Sequence, residues 1–267
     1  MNLIANARMY AVDVETAAAW SDLFARVATL SRVDLTVVAH PAPAPLEDLW
    51  RRQDLGLAFI CGYPFASGAF PVRPVAVPIP AQGDGRPLYA THLVVRADSA
   101  IATVQDSFGK RLGWTVTHSQ SGFNALRTHL LADWRERGPL YAQSVGPLLT
   151  PRRVIEALLA SEIDIGPLDS YFYDLLLAAE PKTAERLRIV ETTALRPMPL
   201  LVASRGIDDD IVASLKAALL DADNDITMRD ILGRLQLSGF AALDPVAYRV
   251  LIDEADAADR SGYRQPG

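Results

Sequence analysis

Short apolar, β-rich runs alternate with stretches of helical periodicity along most of this 267-residue chain. The pattern predicts strands at residues 3–10, 33–39 and 54–60, with an amphipathic helix at 14–30 and a short helix at 45–52 between them. Strands that alternate with helices in this way are typical of an α/β architecture. The start of the chain is therefore expected to form right-handed crossovers and a mostly parallel sheet.

A second α/β unit is predicted further along the chain. Its expected strands are residues 111–117, 141–145, 163–168 and 187–193, and its expected helices are 121–134, 152–160 and 169–179. Extended runs at 72–80 and 89–96 precede it, and after residue 200 the pattern predicts a strand and helices at 208–222, 226–236 and 245–257. Segments 89–95 and 197–203 are candidate crossings. We therefore expect one lobe from residues 1–90 with 198–267, and a second from 91–197.

Composition excludes several classes of protein. A net charge of −6 argues against a nucleic-acid partner held by phosphate neutralisation, although local dipoles can still bind a small anion. The single cysteine, Cys61, rules out an internal disulfide and a multi-cysteine metal site, and its apolar setting favours a buried structural thiol. The four histidines show no metal-ligand spacing, so no metal site is expected. No cofactor is expected either.

The N-terminal residues lack the basic start, the apolar stretch and the cleavage site of a signal peptide. No segment approaches the roughly 18 unbroken apolar residues of a membrane helix. Two readings stay open: an export signal has been removed, or the protein works inside the cell.

The strongest local signal for a binding site is the sequence Ser119-Gln120-Ser121-Gly122. It lies between a predicted strand and an apolar helical stripe, so one of its serines is expected to cap the helix. The glycine would let a group approach the backbone closely. The free N–H groups and the positive dipole end of such a helix favour a phosphate, a phosphonate or a carboxylate. The alternative is a helix cap with no ligand.

Two other strand ends offer polar side chains. Tyr63 follows the buried run that ends near Cys61, and Asp169 lies where a strand meets a helix. The carboxyl edge of a sheet is where α/β proteins bind ligands. A tight turn would equally explain Tyr63, and a helix cap would explain Asp169. His118, beside the serine loop, could donate to an anion or be an ordinary surface or core histidine. No nucleophile elbow or P-loop is present.

Taken in order, several segments resemble the phosphate/phosphonate family of ABC-transporter periplasmic solute-binding proteins. The similar segments are residues 57–64, 89–99, 106–111, 119–122 and 164–171, with Gly239-Phe240, Asp244-Pro245 and Tyr248 near the end. The resemblance implies the two-lobed type 2 periplasmic-binding-protein fold, an α/β fold of mixed sheets flanked by helices. It also implies a ligand cleft between the lobes that closes by hinge bending.

The resemblance also implies roles for individual residues. The serine-glycine loop would hold the anionic group, the tyrosines would line the first-lobe side, and the acidic residue would meet a cationic or hydroxyl end of the ligand. The implied ligand-binding residues are Tyr10, Tyr63, Tyr89, His118, Ser119, Ser121, Gly122, Asn124 and Asp169.

The function that follows is the solute-binding component of an ABC uptake system. We expect a periplasmic, non-enzymatic monomer that binds a small anion such as phosphonate or phosphate and serves a membrane permease. Nucleic acid, metal and cofactor are not expected. The alternative is a cytosolic small-molecule enzyme on the same fold, of the lyase or pyrimidine-precursor synthase type, with Asp169 or His118 as acid or base.

Overall fold

A computed structural model describes residues 2–267. The chain divides into two compact units. Unit 1 holds the described residues up to Leu88 together with Pro197–Ala247, and unit 2 holds Tyr89–Arg196 and Tyr248–Gly267. The chain therefore passes from one unit to the other three times.

The strands of the described chain, in order, are β1 (Leu3–Asn6), β2 (Leu35–Val37), β3 (Leu55–Ile60), β4 (Val72–Pro80), β5 (Leu88–Tyr89), β6 (Thr91–Arg96), β7 (Arg111–Gly113), β8 (Gln143–Val145), β9 (Gly166–Asp169), β10 (Leu187–Thr192), β11 (Arg196–Pro197), β12 (Leu200–Ser204) and β13 (Leu237–Ala241). The α-helices are α1 (Val14–Ser31), α2 (Leu46–Trp50), α3 (Gly62–Ala66), α4 (Ala125–Arg137), α5 (Pro151–Leu159), α6 (Ser170–Ala179), α7 (Pro181–Ala184), α8 (Asp209–Leu220), α9 (Ile226–Arg234) and α10 (Arg249–Arg260). Turns of 3-10 helix cover Arg8–Tyr10, Gln105–Ser107 and Pro245–Tyr248, and a π-helical turn, Gln120–Asn124, leads into α4.

Unit 1 is built on a six-stranded sheet in the order β13-β4-β12-β3-β1-β2. β1 runs parallel to β2 and β3, as the opening pattern predicts. The other pairings, of β12 with β3 and β4 and of β4 with β13, are antiparallel. The sheet is therefore mixed, as the predicted fold class has it: its parallel part is formed by the start of the chain, and the chain returns after Pro197 and adds β12 in the reverse direction.

The core of unit 1 follows from two segments of the sequence. All six residues of β3 are buried, as expected for a central strand. Helix α1 begins with a capping box, in which Asp13 accepts from the Thr16 N–H and the Thr16 side chain accepts from the Asp13 N–H. Its apolar face buries Trp20 and Phe24 completely or nearly so.

Unit 2 contains a three-stranded antiparallel sheet, β10-β6-β9, and a parallel pair, β7 with β8. A bridge between Leu112 and Ile165 joins β7 to the start of the β9 segment. Trp114 and Phe123, edge to face with centroids 5.2 Å apart, belong to the core that these elements enclose. β5 and β11 pair with each other where the chain passes between units.

The C-terminal segment lies in unit 2, which corrects the expectation that residues 198–267 belong to the first lobe throughout. Helix α10 packs against α4. The Trp134 and Tyr263 rings stack with centroids 5.0 Å apart, and Arg127 pairs with Asp259. These partners are far apart in the sequence, so no local pattern predicts that the C-terminal segment packs on this unit. No helix among the described residues is both long enough and apolar enough to cross a membrane.

Candidate functional site

The serine-glycine loop forms the first turn of a long helix in unit 2. Ser119 has an extended backbone, and its Oγ accepts a hydrogen bond from the Gly122 N–H at 2.9 Å. The Asn124 N–H donates to the Ser119 carbonyl at 3.1 Å, and the π-helical turn then continues into α4. Ser119 is thus the one of the two serines that caps the helix, and its oxygen acts as the acceptor in that cap.

The next two residues present donors that the helix cannot use. The N–H groups of Gln120 and Ser121 make no hydrogen bond with another residue of the described chain. The same holds for the hydroxyl of Ser121, which is half-buried. First-turn N–H groups point away from the helix body and carry its positive dipole end. This pair of N–H groups and the Ser121 hydroxyl therefore form a donor set suited to an anion.

Gly122 is explained by packing. A Cβ atom at this position would lie 1.9 Å from Thr115 Oγ1 and 2.9 Å from Thr115 Cβ. The Thr115 side chain therefore approaches this glycine closely, and the contact of Gly122 with an anion stays a prediction. Thr115 also donates its N–H to the Gly122 carbonyl at 3.1 Å. The glycine lets the helix start lie directly against the segment that follows β7.

Thr91, the first residue of β6, also holds the loop. It is buried, and its Oγ1 donates to the Ser121 carbonyl at 3.2 Å. Nothing in the local sequence singles out Thr91, because its partner is 30 positions away.

Asn124 has both ends of its side chain engaged within unit 2. Its Nδ2 donates to the Ser119 carbonyl at 3.2 Å, and its Oδ1 accepts from Arg127 Nη1 at 3.0 Å. The residue is 2 % exposed. These bonds give Asn124 a role in holding the loop, and its contact with the anion stays a prediction.

Asp169 ends β9 and caps α6, where its Oδ1 accepts from the Phe172 N–H at 3.0 Å. In the β6–β9 pairing Asp169 lies opposite Thr91, the residue that holds Ser121. The structure therefore brings Asp169 to the strand end beside the loop. Burial raises the pKa of Tyr171 well above its usual value, and the Asp169 charge adds to this shift.

His118, Tyr89 and Gln120 complete the surroundings of the loop. His118 is half-buried directly before the cap, and Tyr89 is buried at the first position of unit 2. The Gln120 side chain is 2 % exposed, and its Oε1 has no hydrogen-bond partner in the described chain. Gln120 also lines a pocket of about 260 Å³ together with Thr128 and Arg196.

The predicted site residues of unit 1 have different settings. Tyr10 is 1 % exposed, and its ring packs edge-on against Phe59 with the centroids 4.9 Å apart, so its role in lining the ligand stays a prediction. Tyr63 is half-buried in α3, as the strand-to-helix pattern suggests. Cys61 is buried and precedes α3. Within residues 2–267, no group of three or more His, Cys, Asp or Glu side chains is placed to hold a metal ion.

Two α/β units, each built on its own sheet, and an anion-competent helix start are features of solute-binding proteins. Residues 10–248 match the family model described as ABC transporter, phosphonate, periplasmic substrate-binding protein, and the chain belongs to this family. Membership implies a small ligand, a membrane permease as partner and a periplasmic location. The predicted family and fold class are confirmed.

Solved structures with a similar fold include a binding-protein component of an ABC phosphonate transporter from Pseudomonas aeruginosa. Its identity is 16 %, its TM-score is 0.83, and the match covers 98 % of this chain and 88 % of that one. PhnD1 from Prochlorococcus marinus in complex with methylphosphonate matches at 16 % identity and TM-score 0.75, over 97 % of this chain and 98 % of that one. The alkanesulfonate-binding protein SsuA from Xanthomonas axonopodis, bound to MOPS, matches at 17 % identity and TM-score 0.62, over 99 % and 95 %. No curated protein matches the sequence.

Proposed function

We propose that this protein binds a small phosphonate, or a related oxyanion such as phosphate or a sulfonate, at the helix start formed by Ser119–Asn124. The observation that carries the proposal is the donor set at that turn. Within residues 2–267, the N–H groups of Gln120 and Ser121 and the Ser121 hydroxyl have no hydrogen-bond partner, while the Ser119 oxygen and the Asn124 side chain already bond within the loop. Tyr63 and His118 stay candidate contacts.

The physical reason is charge complementarity at short range. Helical residues 120–137 align their peptide dipoles, so partial positive charge accumulates at residues 120 and 121. Tetrahedral phosphonate, phosphate and sulfonate groups offer several oxygens to converging donors. The overall charge of −6 does not oppose this, because the donors act over a few ångströms.

The similar structures support this ligand class. One of them contains methylphosphonate and another contains MOPS, which carries a sulfonate. Identities of 16 and 17 % carry the fold but not the ligand, so the transfer to this chain is part of the proposal. Asp169, close to the loop through Thr91, would meet a cationic or hydroxyl end of the ligand.

We further propose that the protein is an exported, non-enzymatic monomer that delivers its ligand to a permease. The support for this role is the family match over residues 10–248, whose description is that of a periplasmic substrate-binding protein of an ABC transporter.

Titration calorimetry on the purified protein tests the proposal. Methylphosphonate, inorganic phosphate and methanesulfonate are the probes, and glycerol is the neutral control. We expect saturable binding of at least one anion and none of glycerol. A ligand at about 100 times its Kd should stabilise the fold by about 2.7 kcal/mol, which a thermal melt detects. Absence of binding by all three anions would contradict the proposal.

A further inference from the structure

We infer that Arg127 is a positioning residue for the anion site, acting through Asn124 on the peptide group that joins Ser119 to Gln120. This inference rests on the function proposed above. Arg127 lies in the first turn of α4 and is 4 % exposed. Its place in the fold gives it a fixed orientation and a buried charge, and both act on the Gln120 N–H.

The orientation of Arg127 is set by the C-terminal segment. Its Nε donates to the Tyr263 carbonyl at 2.8 Å, and its Nη2 donates to the Ala255 carbonyl at 3.4 Å. Nη2 also pairs with the Asp259 carboxylate, and the guanidinium lies over the Phe123 ring, 5.4 Å from its centroid. With these groups in place, Nη1 is aimed at the loop.

A chain of hydrogen bonds runs from Nη1 to the proposed donor. Arg127 Nη1 donates to Asn124 Oδ1 at 3.0 Å, and Asn124 Nδ2 donates to the Ser119 carbonyl at 3.2 Å. The Asn124 N–H donates to the same carbonyl at 3.1 Å. That carbonyl shares one planar peptide unit with the Gln120 N–H. Because hydrogen bonds in a chain polarise one another, the Gln120 N–H becomes a stronger donor and keeps its direction.

The charge of Arg127 adds a second effect. A guanidinium stays protonated in proteins. The Arg127 side chain is 5 % exposed, whereas its partner Asp259 is 56 % exposed, so solvent screens the carboxylate much more than the guanidinium. Of the two charges of this pair, the guanidinium therefore acts more strongly on the helix start. Its attraction for an anion grows in proportion to the charge of that anion.

This proportionality gives a readout that a purely structural residue would not move. We would titrate wild type, Arg127→Gln and Arg127→Lys with methylphosphonate and methanesulfonate at about pH 9, where the phosphonate is doubly ionised. For Arg127→Gln we expect Kd to rise about tenfold for the phosphonate and about threefold for the singly charged sulfonate. Arg127→Lys keeps the charge, so the ratio of the two Kd values should stay that of wild type.

Asn124→Ala breaks the chain while leaving the bonds of Arg127 to Tyr263 and Asp259 in place. We expect it to raise the Kd of both ligands about threefold or more, while the protein still unfolds in a cooperative thermal transition. If Arg127→Gln does not fold, Asn124→Ala and Arg127→Lys together still test the positioning role of Arg127.

Three results would overturn the inference. In the first, the wild type binds both anions, but Arg127→Gln changes the two Kd values by the same factor. In the second, Asn124→Ala binds both anions as tightly as the wild type does. If the wild type binds neither anion, the proposed function fails and the positioning role fails with it. That last outcome is distinct, because it is seen before any variant is compared.

Discussion

The side chain of Thr115 fills the space in which a Cβ atom of residue 122 would lie. An added Cβ would be 1.9 Å from Thr115 Oγ1 and 2.9 Å from both Cβ and Cγ2. This contact lies at the centre of the proposed site, because Gly122 belongs to the turn whose preceding N–H groups are the donors. The glycine therefore matters for stability and binding together.

Gly122→Ala should lower the free energy of unfolding by about 1–3 kcal/mol, the usual cost of overpacking a core position. Urea denaturation measures it. The matched control is Gly233→Ala in α9, where an added Cβ meets nothing within 4 Å and should stabilise the protein by about 0.5–1 kcal/mol. Anion affinity should fall in Gly122→Ala only.

Removal of the Thr115 branch tests the cause. The double variant Gly122→Ala/Thr115→Ala lacks the contacts with Oγ1 and Cγ2. Part of the stability lost in Gly122→Ala should therefore be recovered, which a double-mutant cycle measures. Equal stability of Gly122→Ala and wild type would show that the contact does not constrain residue 122.

The two serines of the loop should behave differently when changed to alanine. Ser121→Ala should weaken methylphosphonate binding about tenfold with stability unchanged within about 0.5 kcal/mol, because its half-buried hydroxyl has no partner among the described residues. Ser119→Ala should cost about 1 kcal/mol of stability through the lost cap. Calorimetry and urea unfolding separate the two effects.

Thr150→Ala is the control for the cap, since Thr150 caps α5 in the same unit and accepts from the Arg153 N–H at 3.1 Å. It should match Ser119→Ala in stability while leaving anion affinity unchanged. Full affinity in Ser121→Ala would remove that hydroxyl from the site.

Asp169→Asn should change stability by no more than about 0.5 kcal/mol, because asparagine caps a helix as well as aspartate does. If its carboxylate meets a cationic group, an aminoalkylphosphonate should bind more weakly to the variant, while methylphosphonate affinity stays within about threefold of wild type. Calorimetry with both ligands checks this. An equal loss for both would instead assign Asp169 to the support of the loop.

Asp174 in α6 gives a pH-dependent prediction. Burial raises the pKa of this half-buried carboxyl to about 6 from its usual 3.8. The folded protein thus holds the proton more tightly than the unfolded chain, so stability falls as pH rises from about 4 to about 6. Above that range, Asp174→Asn should stabilise the fold by about 1–2 kcal/mol, after allowance for solvent screening.

Urea unfolding of wild type and Asp174→Asn at about pH 3.5 and pH 7.5 measures this, and the difference should shrink towards zero at the lower pH. A difference that is the same at both values would show that ionisation of Asp174 is not its source.

The sequence predicted those strands and helices whose pattern of apolar residues is clear within a single segment. The extended run at residues 72–80 is β4 with the same bounds, and helix α1 differs from its prediction by one residue. β13 was missed, because Gly239, with φ of 153°, and the short run around it give no clear alternation. The strand predicted at 111–117 ends at Gly113, because the chain turns there towards the cap at Ser119.

In the site, too, contacts between residues close in sequence could be predicted, and contacts between distant residues could not. A serine cap at this loop could be predicted, because the cap of Ser119 bonds to Gly122 only three residues away, although the sequence did not decide between Ser119 and Ser121. The support of the loop could not: Thr91 is 30 positions from Ser121, and Arg127 bonds to Tyr263 across 136 positions. The packing role of Gly122 was hidden for the same reason, since Thr115 meets it only when the chain folds back.

The central claim is that the N–H groups of Gln120 and Ser121 hold the anion, and amide NMR tests it most directly. In a titration of ¹⁵N-labelled protein with methylphosphonate, we predict that the ¹H resonances of these two amides move downfield and saturate with the calorimetric Kd, since charge-assisted hydrogen bonds form there. The Gly122 amide, already bonded to Ser119 Oγ, should move less. Saturable binding with the Gln120 and Ser121 amides unshifted would contradict the claim and place the ligand elsewhere.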